Sequence, residues 1–143
     1  MGIADRLVDA QLLWQAGRVE GAFLSVLVAV AAAARMTFPA EKSDRLAFEQ
    51  FVSSASRVKI SAEFRGKLEP IEHIIYVWLR CNLVHEATIP FDIQLVEDPE
   101  PGVLWIQAGG GPGNTLKLSF SWFYHLFRSA AQVLMPVVDP LNL

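Results

Sequence analysis

The chain has 143 residues and a formal net charge of −3, with 52% hydrophobic and 19% charged residues. This length suits one domain, and the composition excludes an intrinsically disordered chain. It also excludes a basic protein that coats nucleic acid without discrimination, so any nucleic-acid contact has to be local.

Cysteine and histidine content limits the kinds of site that the chain can form. Cys81 is the single cysteine, so an intrachain disulfide or a cysteine-rich metal site is excluded, and the three histidines are scattered. We therefore expect neither a metal nor a cofactor. The mean hydropathy of +0.32 is high for a soluble protein, and burial of apolar surface between subunits would account for it.

The N-terminal half of the sequence predicts helices. Gly17 ends the first of them, and Ser43 is placed to cap the third. The second is apolar nearly all round, which is typical of a central helix. Apolar residues at helical spacing place these three helices over 3–16, 18–36 and 41–57.

The uncharged run within the second helix raises the question of a membrane. It extends from Gly21 to Ala34, which is shorter than the roughly 20 residues that span a bilayer. The N-terminal residues also lack the pattern of a signal peptide. We expect a cytoplasmic protein with no membrane contact.

After a polar stretch over 57–67, interpreted as a loop or a frayed helix, Pro70 suits the first turn of a fourth helix. Short strands are then predicted over 92–96, 103–107 and 116–120, and a last helix over 121–134. The predicted fold is a single, mainly α domain over 1–143. It is a bundle of about five helices, with a small antiparallel β-meander (about 92–120) inserted before the last helix and outside the helical core.

The end of the fourth helix, 76–86, contains the most informative residues. Ile71 begins its core-facing stripe, and at 100° per residue Arg80 points to the opposite side. Apolar and aromatic groups surround this arginine, which suits a partner subunit better than solvent. The face that we expect at a dimer interface contains His73, Tyr76, Val77, Arg80 and Val84.

The spacing Arg80-x4-His85 after an apolar, aromatic helix resembles the R-x4–6-H motif of the HEPN superfamily. Those domains are all-helical and usually dimeric, and many are metal-independent ribonucleases of toxin–antitoxin and defence systems. Leu83-Val84-His85-Glu86 matches the residues common around that histidine. The resemblance covers 1–88 and extends to the last helix. The motif's polar residue usually follows the arginine directly, whereas here Cys81 follows it and Asn82 comes next.

The resemblance implies a homodimer that cleaves RNA without a metal. His85 would be the acid or base, Arg80 would hold the phosphate, and Asn82 would orient the pair by a hydrogen bond. An antitoxin or operon partner is implied as well. A basic cluster that could guide the RNA backbone comprises Arg57, Lys59, Arg65 and Lys67.

Structural roles for the same residues remain open alternatives. His85 could cap its helix, where the dipole favours a cation. Arg80 could pair with Glu72, Glu86 or a backbone carbonyl, and the basic cluster could be a solvated face. The chain would then be a catalytically inactive HEPN-like helical dimer that acts as a protein-binding or RNA-binding regulatory module.

Overall fold

The computed structural model describes residues 2–56, 59–100, 103–108 and 115–134. The helices are α1 (Ile3–Gln15), α2 (Val19–Thr37), α3 (Asp44–Ala55), α4 (71–86) and α5 (Ser121–Leu134). The strands are β1 (Ser61–Phe64), β2 (Lys67–Pro70), β3 (Ile93–Val96), β4 (Ile106–Gln107) and β5 (Leu116–Ser119). The prediction of a mainly α fold, with strands before the last helix, is confirmed.

Helix α2 forms the centre of the molecule. Eight of its residues are buried, and it packs against α1, α3 and α5. Phe23 contacts the rings of Trp14 from α1 and Phe123 from α5. Within the described part of the chain, α2 is the one helix that is long and apolar enough to cross a membrane. Its extensive burial by other helices is what the core helix of a soluble protein also shows.

The end of α1 and the start of α3 follow from local chemistry. Gly17 adopts a φ of 75°, a conformation that costs glycine little, and it follows the last turn of α1. The Ser43 hydroxyl accepts a hydrogen bond from the backbone N–H of Leu46 at 3.2 Å. This N-cap fixes the start of α3 at Asp44, three residues later than the sequence pattern predicts.

The polar stretch after α3 contains a β-hairpin, so the interpretation of 57–67 as a loop or a frayed helix is wrong for its second half. Strands β1 and β2 pair antiparallel, with Phe64 opposite Lys67. Arg65 and Gly66 connect them, and both have positive φ, as a type I′ turn requires. Alternate residues of β1 are buried, as in other strands, but a run of four residues is too short to give a strong pattern.

The three-stranded sheet forms, but its strands are not ordered as the predicted meander. β5 is the central strand, parallel to β3 on one side and antiparallel to β4 on the other. A parallel neighbour requires a long crossover, and here the chain between β3 and β5 supplies it while contributing β4. The sheet also lies within the core rather than outside it, because Ile93, Leu116 and Leu118 are buried in the same apolar cluster as the helices.

Candidate functional site

Helix α4 contains a π-helical stretch that ends at the candidate arginine. Its first turn, Ile71–Ile74, and its last, Cys81–Glu86, are α-helical, and Ile75–Arg80 between them is π-helical. The backbone N–H of Cys81 donates to the carbonyl oxygen of Tyr76, five residues back. Such wide turns are uncommon, and they are frequently found at functional sites.

Arg80 lines a cavity of about 190 Å³ between α2, α3 and α4. Its guanidinium carbon lies 5.0 Å from the centre of the Tyr76 ring, which in turn packs against Phe48. Its Nε is buried without a hydrogen-bond partner. Among the described residues, Arg80 forms no ion pair with Glu72 or Glu86. The alternative in which one of these carboxylates holds Arg80 is therefore not what the structure contains.

His85 is exposed in the last turn of α4 and does not line the Arg80 cavity. Within one chain, the cavity thus contains the arginine of the motif without its histidine. Val84, beside His85, is 50% exposed and presents apolar surface to the outside.

Asn82 contacts the chain that follows the helix. Its Nδ2 donates to the carbonyl oxygen of Thr88 at 2.8 Å. Ala87, at the C-cap, adopts a left-handed conformation with a φ of 59°. The asparagine side chain therefore holds the turn in which this strained residue lies. The sequence predicted instead that Asn82 would form a hydrogen bond that orients Arg80 and His85.

The remaining residues of the predicted dimer face have contacts within the chain. His73 Nδ1 lies 2.5 Å from a carboxylate oxygen of Glu49, and its Nε2 lies 3.8 Å from one of Glu69. Tyr76 and Val77 are partly buried. Val84 is the most exposed apolar residue of the set and the best placed to contact another subunit.

The described residues of the basic cluster differ in their surroundings. Arg57 lies outside the described residues, while Lys59 and Lys67 are exposed. Arg65 binds Asp92 through two hydrogen bonds, of 2.7 and 3.0 Å, and its guanidinium carbon lies 4.0 Å from the centre of the Trp78 ring. This arginine therefore ties the β1–β2 turn to the residue before β3, which offsets the cost of its positive φ.

The Arg65–Asp92 pair shifts both pKa values. The hydrogen bond from Arg65 lowers the pKa of Asp92 below its ordinary value, although burial opposes the shift. The same bond raises the pKa of Arg65. Because the native carboxylate binds a proton more weakly than the unfolded one, the pair stabilises the fold above the unfolded-state pKa of about 4. That stabilisation disappears as the pH falls through the lower native pKa.

We expect Asp92→Asn to lower the free energy of unfolding by about 1–2 kcal/mol at neutral pH, because one charged partner of a partly exposed bidentate pair is lost. The difference from wild type should shrink as the pH falls from about 5 to about 3. Urea denaturation across this range measures it. Asp9→Asn, in the exposed Arg6–Asp9 pair, is the control and should change stability little. A difference for Asp92→Asn that does not vary with pH would contradict the assigned pairing.

His125 is a partly buried residue of α5. Its Nε2 lies 3.2 Å from the hydroxyl oxygen of Ser56, and its ring meets that of Trp122 edge-on. Burial lowers its pKa, and the positive charge of Arg128 adds to the effect. A neutral imidazole in this setting fits a packing role at the contact between α5 and the end of α3.

Sequence reasoning did not identify Arg35, which lines the Arg80 cavity from α2 together with Asp44 at the start of α3. The Arg35 Nε lies 3.5 Å from a carboxylate oxygen of Asp44, and its Nη1 donates to the carbonyl oxygen of Glu41. The available signal was the position of Arg35 directly after the uncharged run from Gly21 to Ala34, in the last turn of α2.

Comparison with protein-family models matches residues 2–137 to the family described as Rv1289. Comparison with curated proteins gives no match. Comparison with solved structures gives none either.

Proposed function

The chain belongs to the Rv1289 family, and we propose that it is a cytoplasmic, HEPN-like homodimer that cleaves RNA without a metal through Arg80 and His85. In this proposal it is part of a toxin–antitoxin or defence system, with an antitoxin or operon partner that restrains it. The observation that carries the proposal is the state of Arg80, whose buried Nε has no partner and whose cavity is open to a ligand.

An arginine with a purely structural role usually has its donors satisfied, since a buried polar group without a hydrogen bond costs free energy. In Arg80, by contrast, the buried Nε has no hydrogen-bond partner among the described residues, and Tyr76 packs on the guanidinium. Arginine remains charged at all physiological pH values and can bind two phosphate oxygens at once. These properties suit a group that binds the phosphate and stabilises the negative charge of the phosphorane.

The chemistry needs two proton transfers. The 2′-hydroxyl attacks phosphorus while one His85 imidazole removes its proton. The bond from phosphorus to the 5′-oxygen then breaks, and a second, protonated His85 gives its proton to that oxygen. Histidine titrates near neutrality and can take either role. One chain has a single His85, so a two-fold dimer would supply both.

Dimerisation is tested by a charge at Val84, which is 50% exposed on α4. We expect Val84→Arg to raise the dimer dissociation constant by about 100-fold or more, since two like charges would meet unpaired across a two-fold axis. Light scattering should give twice the chain mass of 15.9 kDa for wild type and the single mass for the variant. Val8→Arg on α1, at a site that is 55% exposed, is the matched control and should stay dimeric. A monomeric wild type at micromolar concentration would overturn the dimer.

The proposed activity is tested by incubating the dimer with total RNA in EDTA. Internal attack leaves a 2′,3′-cyclic phosphate, or its hydrolysis product, on one fragment and a 5′-hydroxyl on the other. A DNA strand of the same sequence should resist, because it lacks the nucleophile. Arg80→Lys should be impaired, since lysine keeps the charge but loses the planar fork, while Arg6→Lys on α1 should cleave as wild type does. Intact RNA, or fragments with 5′-phosphates, would argue against the mechanism.

A second candidate function is a catalytically inactive module that binds RNA or protein. It is favoured by the position of His85, which is exposed and does not line the Arg80 cavity of its own chain. The two candidates predict different results for one measurement. A module should bind RNA with a dependence on Arg80 and leave the RNA intact, whereas the ribonuclease should cleave it.

A further inference from the structure

Two arginines from different helices line the same cavity. Arg35 extends from the end of α2, and Arg80 extends from the end of the π-helical stretch of α4. The rest of the lining is small or aromatic apart from one carboxylate, and consists of Ala31, Ala32, Tyr76 and Asp44.

We infer that Arg35 and Arg80 together form a subsite for one phosphate of the RNA backbone, and that Asp44 competes with this phosphate for Arg35. The inference rests on the proposed function in taking RNA as the ligand. The inference adds Arg35 as a second phosphate-binding residue outside the motif. It also adds Asp44 as an anion of the protein itself that limits the affinity for RNA.

Arg80 is held in place before any ligand binds. Tyr76 lies against its guanidinium, and the Tyr76 ring centre is 5.2 Å from that of Phe48 in the core. The buried Nε of Arg80 has no hydrogen-bond partner, so the guanidinium has hydrogen-bonding capacity that no described residue uses. A fixed guanidinium loses little conformational freedom on binding, which favours affinity.

Arg35 is only loosely engaged by Asp44. The distance from its Nε to the carboxylate oxygen is 3.5 Å, and the Asp44 side chain is 76% exposed. An ion pair this long and this exposed contributes little, so a phosphate can replace the carboxylate. The Nη1 donation to Glu41 is to a backbone carbonyl and can persist while the other N–H groups turn to the ligand.

The charges and the shape favour a phosphate. Two arginines against one aspartate leave the cavity net positive, and Ala31 and Ala32 leave room for the group to approach. A tetrahedral phosphate offers several acceptor oxygens, so guanidinium groups from two helices can bind different oxygens of it. Because the subsite includes Arg80, it is part of the proposed site of cleavage.

The test measures binding apart from cleavage, using a fluorescent 2′-O-methyl RNA oligonucleotide that lacks the nucleophilic hydroxyl. We expect Arg35→Gln to weaken binding about tenfold, and to reduce the slope of log affinity against log salt by about 0.7. As a single substitution, Asp44→Asn should tighten binding several-fold. Combined with Arg35→Gln it should have no effect, because the arginine for which Asp44 competes is then absent. Arg6→Gln and Asp9→Asn, from the exposed pair on α1, are the matched controls and should bind as wild type does.

The subsite is overturned if Arg35→Gln and Asp44→Asn bind like these controls, or if wild type does not bind the oligonucleotide. If Arg35→Gln fails to fold, Arg35→Lys takes its place in the test. Lysine keeps the charge, so this variant should lose less affinity for the oligonucleotide than Arg35→Gln would. Unchanged binding by Arg35→Lys also counts against the subsite. Failure of the proposed function is a separate result. Intact unmodified RNA together with the expected binding shifts would leave the subsite in place on a binding module.

Discussion

Replacing His85 by alanine should reduce RNA cleavage by about 10²–10⁴-fold, the usual contribution of a group that transfers a proton in the transition state. In the dimer both copies lose the imidazole, so neither the 2′-hydroxyl nor the 5′-oxygen has its proton-transfer partner. The rate should be measured under single-turnover conditions in EDTA, with wild type beside the variant from the same purification.

The exposed position of His85 makes this variant a clean test. Its side chain is not in the core, so its removal creates no buried cavity, and circular dichroism and unfolding should match wild type. His125→Ala is the control for loss of a histidine elsewhere, and it should cleave at close to the wild-type rate if it folds. A folded His85→Ala protein that cleaves as well as wild type would refute the hypothesis that His85 is catalytic and would favour the binding module.

The largest effect on stability is expected at Trp122. This side chain is fully buried, and its Nε1 donates to the carbonyl oxygen of Trp105 at 3.3 Å. Trp122→Ala should lower the free energy of unfolding by about 3–5 kcal/mol through the cavity that it leaves. The hydrogen bond to Trp105 also connects α5 to the residue before β4, and the variant loses this connection. Guanidinium chloride denaturation measures the change.

Two further variants separate packing from hydrogen bonding at this site. Trp122→Phe keeps much of the apolar volume and removes the N–H group, so it should cost less, about 1–2 kcal/mol. Tyr124→Ala, at an exposed position of the same helix, should cost less than Trp122→Ala. Similar losses for Trp122→Ala and Tyr124→Ala would mean that Trp122 is not the core residue it is taken to be.

Helices were predictable where one local signal decided the outcome. The last helix begins at Ser121 and reaches Leu134, as its pattern predicts, and Gly17 and Ser43 act at the ends where their chemistry places them. The hairpin of β1 and β2 was missed because its stability depends on a distant residue. Arg65 adopts a positive φ, and its contacts with Asp92 and Trp78 help to offset the cost of that conformation. Both partners lie far along the chain, so no local pattern contains this information.

Pairing and partners are non-local, and the sequence specifies them poorly. The sequence pattern located β3 and β5 but could not show that they are parallel neighbours with β4 on the far edge. Motif spacing identified Arg80 and His85, but the approach of Arg35 to the same cavity depends on how α2 and α4 pack. The hydrogen bond from Asn82 to Thr88 depends on the path of the chain after the helix.

The π-helical stretch gives α4 one residue more than an α-helix would need to join the same two flanking segments. Deleting one residue within Ile75–Arg80 would let this stretch close as ordinary α-helix, while the segments before and after it kept nearly their present orientation. Deleting Cys81 or Asn82 would instead turn the residues that follow by about 100°, so Leu83 would leave the core and His85 would point elsewhere. Members of the family should therefore tolerate the loss of one residue within Ile75–Arg80 more readily than a loss in the α-helical turn that follows it.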